Sequence, residues 1–355
     1  MRILHLLNHT RRLNGHVHAA VDLACAQVRL GHDVFMASGG GDFDALLAAN
    51  NVEAVLISHE RRLPTLLRAL WLLWRVVQRR RPDVVHAHMM TSAVLAWPIC
   101  KFAGIPLITT VHNEFQKSSV LMGIGTRVIA VSEAVRHSME KRGISKSRLC
   151  VVLNGTIGSA RFEGKDLSPR RLDSPAIIFV GGLHPRKGLL DLFPAFDEVY
   201  RRNPAARLYI VGNGPCRDEY IKVAGSLDCA NAITFFGAQD DQFPFLRGAD
   251  IFVLPSHADP APLVLSEARE AKCAIVATNV DGIPELLERG QAGILVPPCD
   301  PTALSAAICS LVENSGALQR WKEKSQFNID HLRIERVARQ TLEIYASAAR
   351  QSPTH

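Results

Sequence analysis

The feature that most constrains this chain is the alternation of short β-branched runs with segments of helical periodicity. This alternation predicts βαβ units and a parallel sheet, because parallel strands must be joined by long, usually helical, crossovers. The first helical segment shows the pattern well, since apolar residues recur every three or four positions and Gly31 follows where a C-terminal cap is expected. The predicted strands are 3–7, 34–37, 84–88, 107–112, 128–132 and 150–153, then 176–180, 208–211, 233–236, 251–254, 274–277 and 294–296.

The alternation occurs twice, and the two series are separated by residues 161–175, which are rich in charge and contain two prolines. A length of 355 residues also predicts two domains. We therefore predict an α/β chain of two doubly wound, Rossmann-like domains, 1–163 and 164–330, which face a cleft. Ligands of such sheets bind outside the carboxyl ends of the strands.

The last part of the chain, from Trp321 to Arg350, has a helical pattern that is long enough to pack across a domain boundary. We assign residues 331–355 to a C-terminal helix that crosses back and packs toward the N-terminal domain.

Composition limits the partners and the compartment. Lys and Arg exceed Asp and Glu by 41 to 34, and the net charge of +7 favours anionic partners without choosing among them. Eight cysteines without any C-x-x-C predict buried free thiols in a reducing compartment rather than disulfides or a zinc site. No stretch approaches the ~18 apolar residues that a membrane span needs. We expect a soluble or peripheral, cytoplasmic protein.

One stretch of the second half, SHADPAPLVLSEAREAKCAIVATNVDGIPEL at 256–286, carries a specific resemblance. It resembles the donor-site signature of the family 4 retaining glycosyltransferases, enzymes of the GT-B fold, in which an acid, seven residues and a Glu precede a G-G-x-P-E-like loop. Here the acids are Asp259 and Glu267, and the loop is 281–285. The first acid departs from the usual Glu of the family.

This resemblance implies roles for the residues around the predicted helix. The amides of Pro262, Leu263 and Val264 would lie at a positive helix end, where a diphosphate fits, although a proline itself has no N–H. Asp259 would accept hydrogen bonds from sugar hydroxyls, and Glu267 would bind the ribose. Taken singly, each carboxylate is explained as well by a helix cap or a solvated helix residue.

Three further segments resemble the same family. FVGGLHPRKG is similar to its phosphate-binding turn, which implies that Lys187 neutralises the leaving diphosphate. The family's Arg five residues earlier is Gly182 here, and Arg186 is the candidate for the missing charge. In the first half, Gly15 matches the opening Gly-rich loop that approaches the donor phosphate. His112, in TVHN, matches a His that contacts the donor sugar.

The resemblance implies a metal-independent, retaining glycosyltransferase of the hexosyl type. Its N-terminal domain would lie on the acceptor side, and its C-terminal domain would bind the nucleotide sugar, with a UDP-sugar as the favoured donor. We expect a glycan or lipid-linked acceptor in polysaccharide or lipopolysaccharide synthesis, no cofactor and no nucleic acid partner. Two alternatives remain open, a nucleotide-sugar epimerase of the same architecture and a non-catalytic GT-B binding module. The second is motivated by Gly182 and by Asp259.

Two motifs resemble metal-binding patterns, but neither is expected to bind a metal ion. Asp42-Phe43-Asp44 spells D-x-D but follows three glycines, and we expect it to cap a helix. His86 and His88 alternate along a predicted strand, so their rings are expected on opposite faces, unable to share a metal unless the strand bends there. We therefore predict no metal site.

The segment Arg61 to Arg81 contains seven arginines and no acid. It predicts a helix whose apolar side packs on the sheet. At helical spacing, Trp71 and Leu72 lie nearer the arginine side than the apolar side. That arrangement is typical of a helix on an anionic membrane surface, and we predict such a contact. The arginine stripe is Arg61, Arg68, Arg75 and Arg79, and the opposite side is Leu63, Leu66, Leu70, Trp74 and Val77.

Overall fold

The computed structural model describes residues 1–12, 14–58 and 62–351, with the backbone alone for Gln351. The strands are β1 Arg2–Leu6, β2 Asp33–Ser38, β3 Glu53–Leu56, β4 Val84–Ala87, β5 Leu107–Val111, β6 Arg127–Ala130, β7 Leu149–Val151, β8 Ala176–Val180, β9 Arg207–Val211, β10 Ile233–Gly237, β11 Ile251–Leu254, β12 Ala274–Thr278 and β13 Ile294–Val296. The α-helices are α1 Gly15–Arg29, α2 Asp44–Ala49, α3 Leu63–Arg80, α4 Met90–Ala103, α5 Glu133–Lys141, α6 Leu189–Arg202, α7 Arg217–Gly225, α8 Phe243–Gly248, α9 Leu263–Glu270, α10 Ile283–Leu286, α11 Pro301–Val312, α12 Ser315–Lys324 and α13 Ile334–Gln351.

The chain forms two compact units. The first contains Met1–Glu163 and Leu332–His355, and the second contains Gly164–His331. The chain passes from the first unit to the second after Glu163 and returns to the first after His331. Helix α13 belongs to the first unit, where it packs along α1.

Each unit is built on one parallel sheet, as the alternating pattern predicts. The N-terminal sheet has seven strands in the order β3-β2-β1-β4-β5-β6-β7, and the C-terminal sheet has six in the order β10-β9-β8-β11-β12-β13. Both are doubly wound, Rossmann-like orders, so the predicted α/β class is confirmed. The strand order reverses between β1 and β4 in the first sheet and between β8 and β11 in the second.

Most strands coincide with apolar runs because they are buried in their sheets. Strand β8, for example, is buried at every position. The exception is β3, which the sequence did not predict. It pairs only with β2 at the sheet edge, and three of its four residues are exposed. An edge strand with so little buried surface has no apolar run to reveal it.

Helix α1 lies where its sequence pattern predicts, but its burial extends beyond the predicted stripe. All eight residues from Ala20 to Gln27 are buried, and the helix contacts β2 and α13. Gly31 adopts a left-handed φ of 85° just after its end, as its capping position predicts.

The predicted continuous helix from Trp321 to Arg350 is wrong. Helix α12 ends at Lys324 and α13 begins at Ile334, with a short 3-10 turn, Ile329–Leu332, between them. Asn328 lies in this break with a φ of 51°, a left-handed conformation that asparagine tolerates better than most residues. The helical pattern therefore belongs to two helices, one in each unit.

Helix α3 is present, but its exposed side differs from the prediction. Its buried residues are Ala69, Leu73 and Val77. Leu63 and Trp74, which were assigned to the packed side, are 72% and 50% exposed, and Leu72 is only half-buried. The helix packs on α4, which shifts its buried side away from Trp74. Arg61 of the predicted arginine stripe lies outside the described residues.

No helix within residues 1–12, 14–58 and 62–351 combines the length and the apolar character needed to cross a membrane.

Candidate functional site

The turn after β8 carries the first of the predicted site residues. Pro185, Arg186 and Lys187 form one 3-10 turn, and Gly188 follows with a φ of 70° before α6 begins. A Cβ at Gly188 would collide with the carbonyl of Pro255. Only glycine therefore lets this turn pack closely against the loop after β11.

That packing brings Lys187 and Asp259 together. Lys187 Nζ lies 2.5 Å from Asp259 Oδ2, and the two side chains are 10% and 7% exposed. They are 72 residues apart in sequence, but they follow β8 and β11, the neighbouring strands at which the order of the sheet reverses. This buried ion pair was not predicted, although each partner was. It stands at the position where sheets of this class bind ligands.

Arg186 adds a second cation to the pair. Its Nη1 donates a hydrogen bond to the Ala258 carbonyl at 3.2 Å and lies 3.9 Å from Asp259 Oδ1. The side chain is 38% exposed, so its charge faces solvent as well as Asp259. Gly182 contributes no charge. Arg186 therefore places a cation beside Asp259, although Gly182 occupies the position where the family has its arginine.

Asp281, in the loop after β12, holds the backbone of Asp259. Its Oδ2 accepts a hydrogen bond from the Asp259 N–H at 2.7 Å, and the Gly282 N–H donates to the Asp259 carbonyl at 3.3 Å. Burial raises the pKa of the Asp281 carboxyl. In the sequence, Asp281 belongs to the loop motif 281–285, from which no role is predicted for it. The Asp-Gly dipeptide, which marks a tight turn, was the available signal.

Helix α9 begins at the end of the loop after β11, which contains Asp259. Pro262 occupies its N-cap, and Leu263 and Val264 form its first turn, where backbone N–H groups have no intrahelical acceptor. Glu267 lies deeper in the helix and is 2% exposed. Its Oε2 accepts a hydrogen bond from Gln242 Nε2 at 2.8 Å. Glu267 is thus a buried, hydrogen-bonded carboxylate rather than a solvated helix residue.

The two remaining predicted residues lie in the N-terminal unit. His112 directly follows β5, as predicted, and lines a cavity of about 240 Å³ with His16, His88 and Thr110. Gly15 is the first residue of α1 and is exposed. The predicted residues therefore fall into a C-terminal group around Asp259 and an N-terminal group.

The expectation that His86 and His88 point to opposite faces is wrong. Strand β4 ends at Ala87, so the alternation does not extend to His88, and the two ring centroids are 4.1 Å apart. With His5, these rings place one nitrogen each within 4.8 Å of one another, a spacing that could hold a metal ion. All six of their ring nitrogens, however, already form hydrogen bonds.

A second group with metal-ligand spacing lies on the surface of the C-terminal unit. It consists of Asp191, His257 and Cys299. His257 Nε2 is 2.5 Å from Asp191 Oδ2, and its backbone N–H donates to the Arg186 carbonyl. This contact ties the loop after β11 to the Lys187 turn. The eight cysteines, all among the described residues, are free thiols, and five of them are buried.

Comparison with known proteins identifies the family. Residues 174–314 match the family described as Glycosyl transferases group 1, and residues 13–156 match Glycosyltransferase Family 4. Glycogen synthase of Mycobacterium tuberculosis is 30% identical over 292 residues, which cover 76% of this chain and 70% of that protein. The chain is a family 4 glycosyltransferase.

Other relatives share most of the length of this glycosyltransferase. Phosphatidyl-myo-inositol mannosyltransferase of Mycolicibacterium smegmatis is 28% identical, with 75% of this chain and 72% of that protein covered. Among solved structures, Anabaena Alr3699/HepE in complex with UDP-glucose aligns with a TM-score of 0.82 at 18% identity, covering 98% of this chain and 100% of that one. The structural neighbours are GT-B glycosyltransferases, so the GT-B class predicted for the glycosyltransferase is confirmed.

Proposed function

We propose that this glycosyltransferase transfers a sugar from a nucleotide diphosphate to a hydroxyl of a glycan or lipid-linked acceptor. The preferred donor is a UDP-sugar, the configuration is retained, no metal is required, and the product serves polysaccharide or lipopolysaccharide synthesis. The observation that carries the proposal is the buried Lys187–Asp259 pair with Arg186 beside it. HepE, solved with UDP-glucose, and the phosphatidyl-inositol mannosyltransferase support the donor and acceptor classes.

The diphosphate binds where positive charge and free amides meet. Lys187 and Arg186 supply two cations, and the first turn of α9, at Leu263 and Val264, supplies backbone N–H groups and the positive end of a helix dipole. The two cations are held in place before the reaction, Lys187 by the Asp259 carboxylate and Arg186 by the Ala258 carbonyl. Pre-placed charge of this kind stabilises a leaving diphosphate without reorganisation.

In the transfer step the bond between the sugar C1 and the diphosphate oxygen breaks, and its electron pair stays on the diphosphate. The acceptor oxygen bonds to C1 on the same face, and its proton passes to a phosphate oxygen. Asp259 and His112 orient the sugar, Glu267 binds the ribose, and Gly15 lets the backbone approach the phosphate. The protein contributes position and charge rather than a nucleophile.

Two tests address the substrate and the site. A panel of UDP-, GDP- and ADP-sugars is screened by thermal shift, where ligand at a hundredfold excess over Kd stabilises by about 2.7 kcal/mol. With the best donor, Lys187→Ala is expected to lower kcat/KM by roughly 10² or more, because one pre-placed charge at a developing anion contributes ~2.7 to 4 kcal/mol.

The control is Lys222→Ala, which removes an exposed lysine of the same unit. A Lys187→Ala enzyme within twofold of wild type would remove Lys187 from the site. Release of an epimerised nucleotide sugar would favour the epimerase, and donor binding without turnover across a broad acceptor panel would favour the binding module.

We also propose that α3 contacts an anionic membrane surface, which would make the enzyme peripheral on the cytoplasmic face. Leu63, Leu67, Trp71 and Trp74 are each at least half exposed and recur every three or four residues, so they share one side of the helix. Arg75 stacks on the Trp71 ring at 4.7 Å. An exposed aromatic stripe flanked by arginines suits a surface of anionic lipid headgroups.

A further inference from the structure

Buried histidines connect the cavity of the N-terminal unit to its core. His112, at the cavity, is linked through Nε2 to His88 Nδ1 at 3.2 Å. His88 Nε2 is linked to His5 Nδ1 at 2.9 Å, and His5 Nε2 to Gln27 Oε1 at 2.7 Å. His5 and His88 are 0% and 4% exposed. The result is an unbroken chain of hydrogen bonds, hereafter the imidazole chain, from Gln27 of α1 to His112.

Each ring of the imidazole chain is neutral at physiological pH. Burial lowers the pKa of His5 to about 4 and that of His112 to about 3, and it holds the pKa of His88 well below the ordinary value. A neutral imidazole has one N–H and one acceptor nitrogen. The direction of one hydrogen bond in the chain therefore determines the direction of all the others.

Gln27 sets that direction. In the structure its Nε2 donates to the Tyr345 hydroxyl at 3.4 Å and its Oε1 lies 2.7 Å from His5 Nε2. With the amide in this orientation, Oε1 accepts a hydrogen from His5 Nε2. His5 Nδ1 is then an acceptor, and His88 Nε2 donates to it. His88 Nδ1 is an acceptor in turn, and His112 Nε2 donates to it. The nitrogen that His112 keeps for a ligand is Nδ1, with a lone pair.

A second series of hydrogen bonds runs from Gln27 through Tyr345 to His86. The tyrosine accepts from the amide, so its own hydrogen goes to His86 Nδ1, at 2.5 Å. His86 Nε2 then donates to Thr110 Oγ1 at 2.7 Å. Thr110 lines the same cavity as His112. Both chains end at the cavity, and one amide orients both.

We propose that Gln27, His5 and His88 are positioning residues that hold His112 as the Nε2–H tautomer, so that its Nδ1 accepts a hydrogen bond from a donor-sugar hydroxyl. The inference rests on the proposed function for the sugar contact of His112, whereas the tautomer follows from the orientation of the Gln27 amide and the hydrogen bonds that it directs. A reversed chain would present an N–H at Nδ1 and would suit a sugar acceptor atom instead of a hydroxyl hydrogen.

The first test reads the tautomers directly. Long-range 1H–15N correlation spectra of the full chain labelled with 15N-histidine, at pH 7.5, separate Nε2–H, Nδ1–H and imidazolium rings. The signals are assigned from His5→Asn, His86→Asn, His88→Asn and His112→Asn spectra. We expect Nε2–H for all four residues. An Nδ1–H or imidazolium His112 in the wild type overturns the proposal, and this result needs no turnover.

The second test removes the residue that orients the chain. Gln27→Met leaves the buried N–H of His5 without an acceptor, which is costly, so the imidazole chain is expected to reverse and His112 to become Nδ1–H. His86 keeps its hydrogen bond from Tyr345 and serves as an internal control. With the best nucleotide sugar, kcat should fall roughly tenfold and KM should stay within threefold, as for other orienting partners.

The matched control is Thr341→Val, which removes one buried hydrogen bond, to the Val337 carbonyl, from α13. It should change neither the tautomers nor kcat. An unchanged His112 tautomer in Gln27→Met overturns the role of Gln27. Turnover that survives His112→Ala, with the Nε2–H form intact in the wild type, overturns the sugar contact and locates the failure in the proposed function.

Discussion

The Lys187–Asp259 pair allows a prediction whose size follows from its burial. We consider Lys187→Met, Asp259→Asn and the double substitution. Either single change leaves a charge buried without its partner, which lowers the free energy of unfolding by ~3–5 kcal/mol. This loss cannot exceed the cost of neutralising the remaining group at pH 7, which is about 4 to 5 kcal/mol for a lysine or an aspartate.

The surroundings of the pair make the two costs unequal. In Lys187→Met, Asp259 keeps Arg186 at 3.9 Å as partial compensation. In Asp259→Asn, Lys187 has no other carboxylate within ion-pair distance among the residues that the structure describes. We therefore expect about 3 kcal/mol for the lysine change and a value nearer 5 kcal/mol for the aspartate change. The double variant should lie within ~1 kcal/mol of wild type, because it buries no unpaired charge.

The assay must follow the C-terminal unit alone, because a two-domain chain does not unfold in one step. Trp321 is the one tryptophan of that unit, so urea unfolding is monitored by its fluorescence in a background with Trp71→Phe, Trp74→Phe and Trp97→Phe. The double variant should be stable but inactive, which separates folding from catalysis. Single variants within 1 kcal/mol of wild type, or a double variant equal to the sum of the singles, would refute the reasoning.

Three further predictions concern acid, metal and membrane. Burial holds the pKa of six histidines of the N-terminal unit below that of the unfolded chain, so the unfolded state binds more protons below pH 6.5. These are His5, His16, His18, His86, His88 and His112. The free energy of unfolding of this unit should therefore fall by ~8 kcal/mol between pH 7.5 and 5.5, seen as a lower urea midpoint, and an equal midpoint would contradict this. EDTA should leave turnover intact, and activity that is lost and then restored by Mg²⁺ or Mn²⁺ would disprove metal independence. Trp71→Ser with Trp74→Ser should reduce co-sedimentation with anionic vesicles at least tenfold, whereas the exposed-lysine control Lys222→Ala should not, and equal binding would exclude the α3 contact.

The candidate site shows how far sequence reasoning reaches. Lys187, Asp259, Glu267 and His112 were all identified from motifs. Lys187 lies in the turn after β8, Asp259 in the loop after β11, Glu267 in α9, and His112 directly after β5. Their partners were not identified. The contact of Asp281 with the Asp259 backbone and that of Gln242 with Glu267 join segments that are 22 and 25 residues apart. Such contacts depend on how two loops pack, for which a single sequence carries no periodic signal.

The sequence by itself determined the local structure. Periodicity in apolar residues separates strands from helices, because each element buries a repeating side. It placed twelve strands and the Gly31 cap of helix α1 without any knowledge of contacts. Where little is buried the signal fails, as in β3. Where a short non-helical segment separates two helices, as between Lys324 and Ile334, a continuous helical pattern hides the break.

Only the tertiary structure decided which distant residues meet. Strands β8 and β11 are neighbours although β9 and β10 lie between them in sequence, and this order alone places Lys187 against Asp259. In the same way β1, β4 and β5 bring His5, His88 and His112 into one chain of hydrogen bonds. The physical reason is that strand order is set by how crossovers wind and how the whole core packs, whereas a sequence pattern reports only the burial of each element.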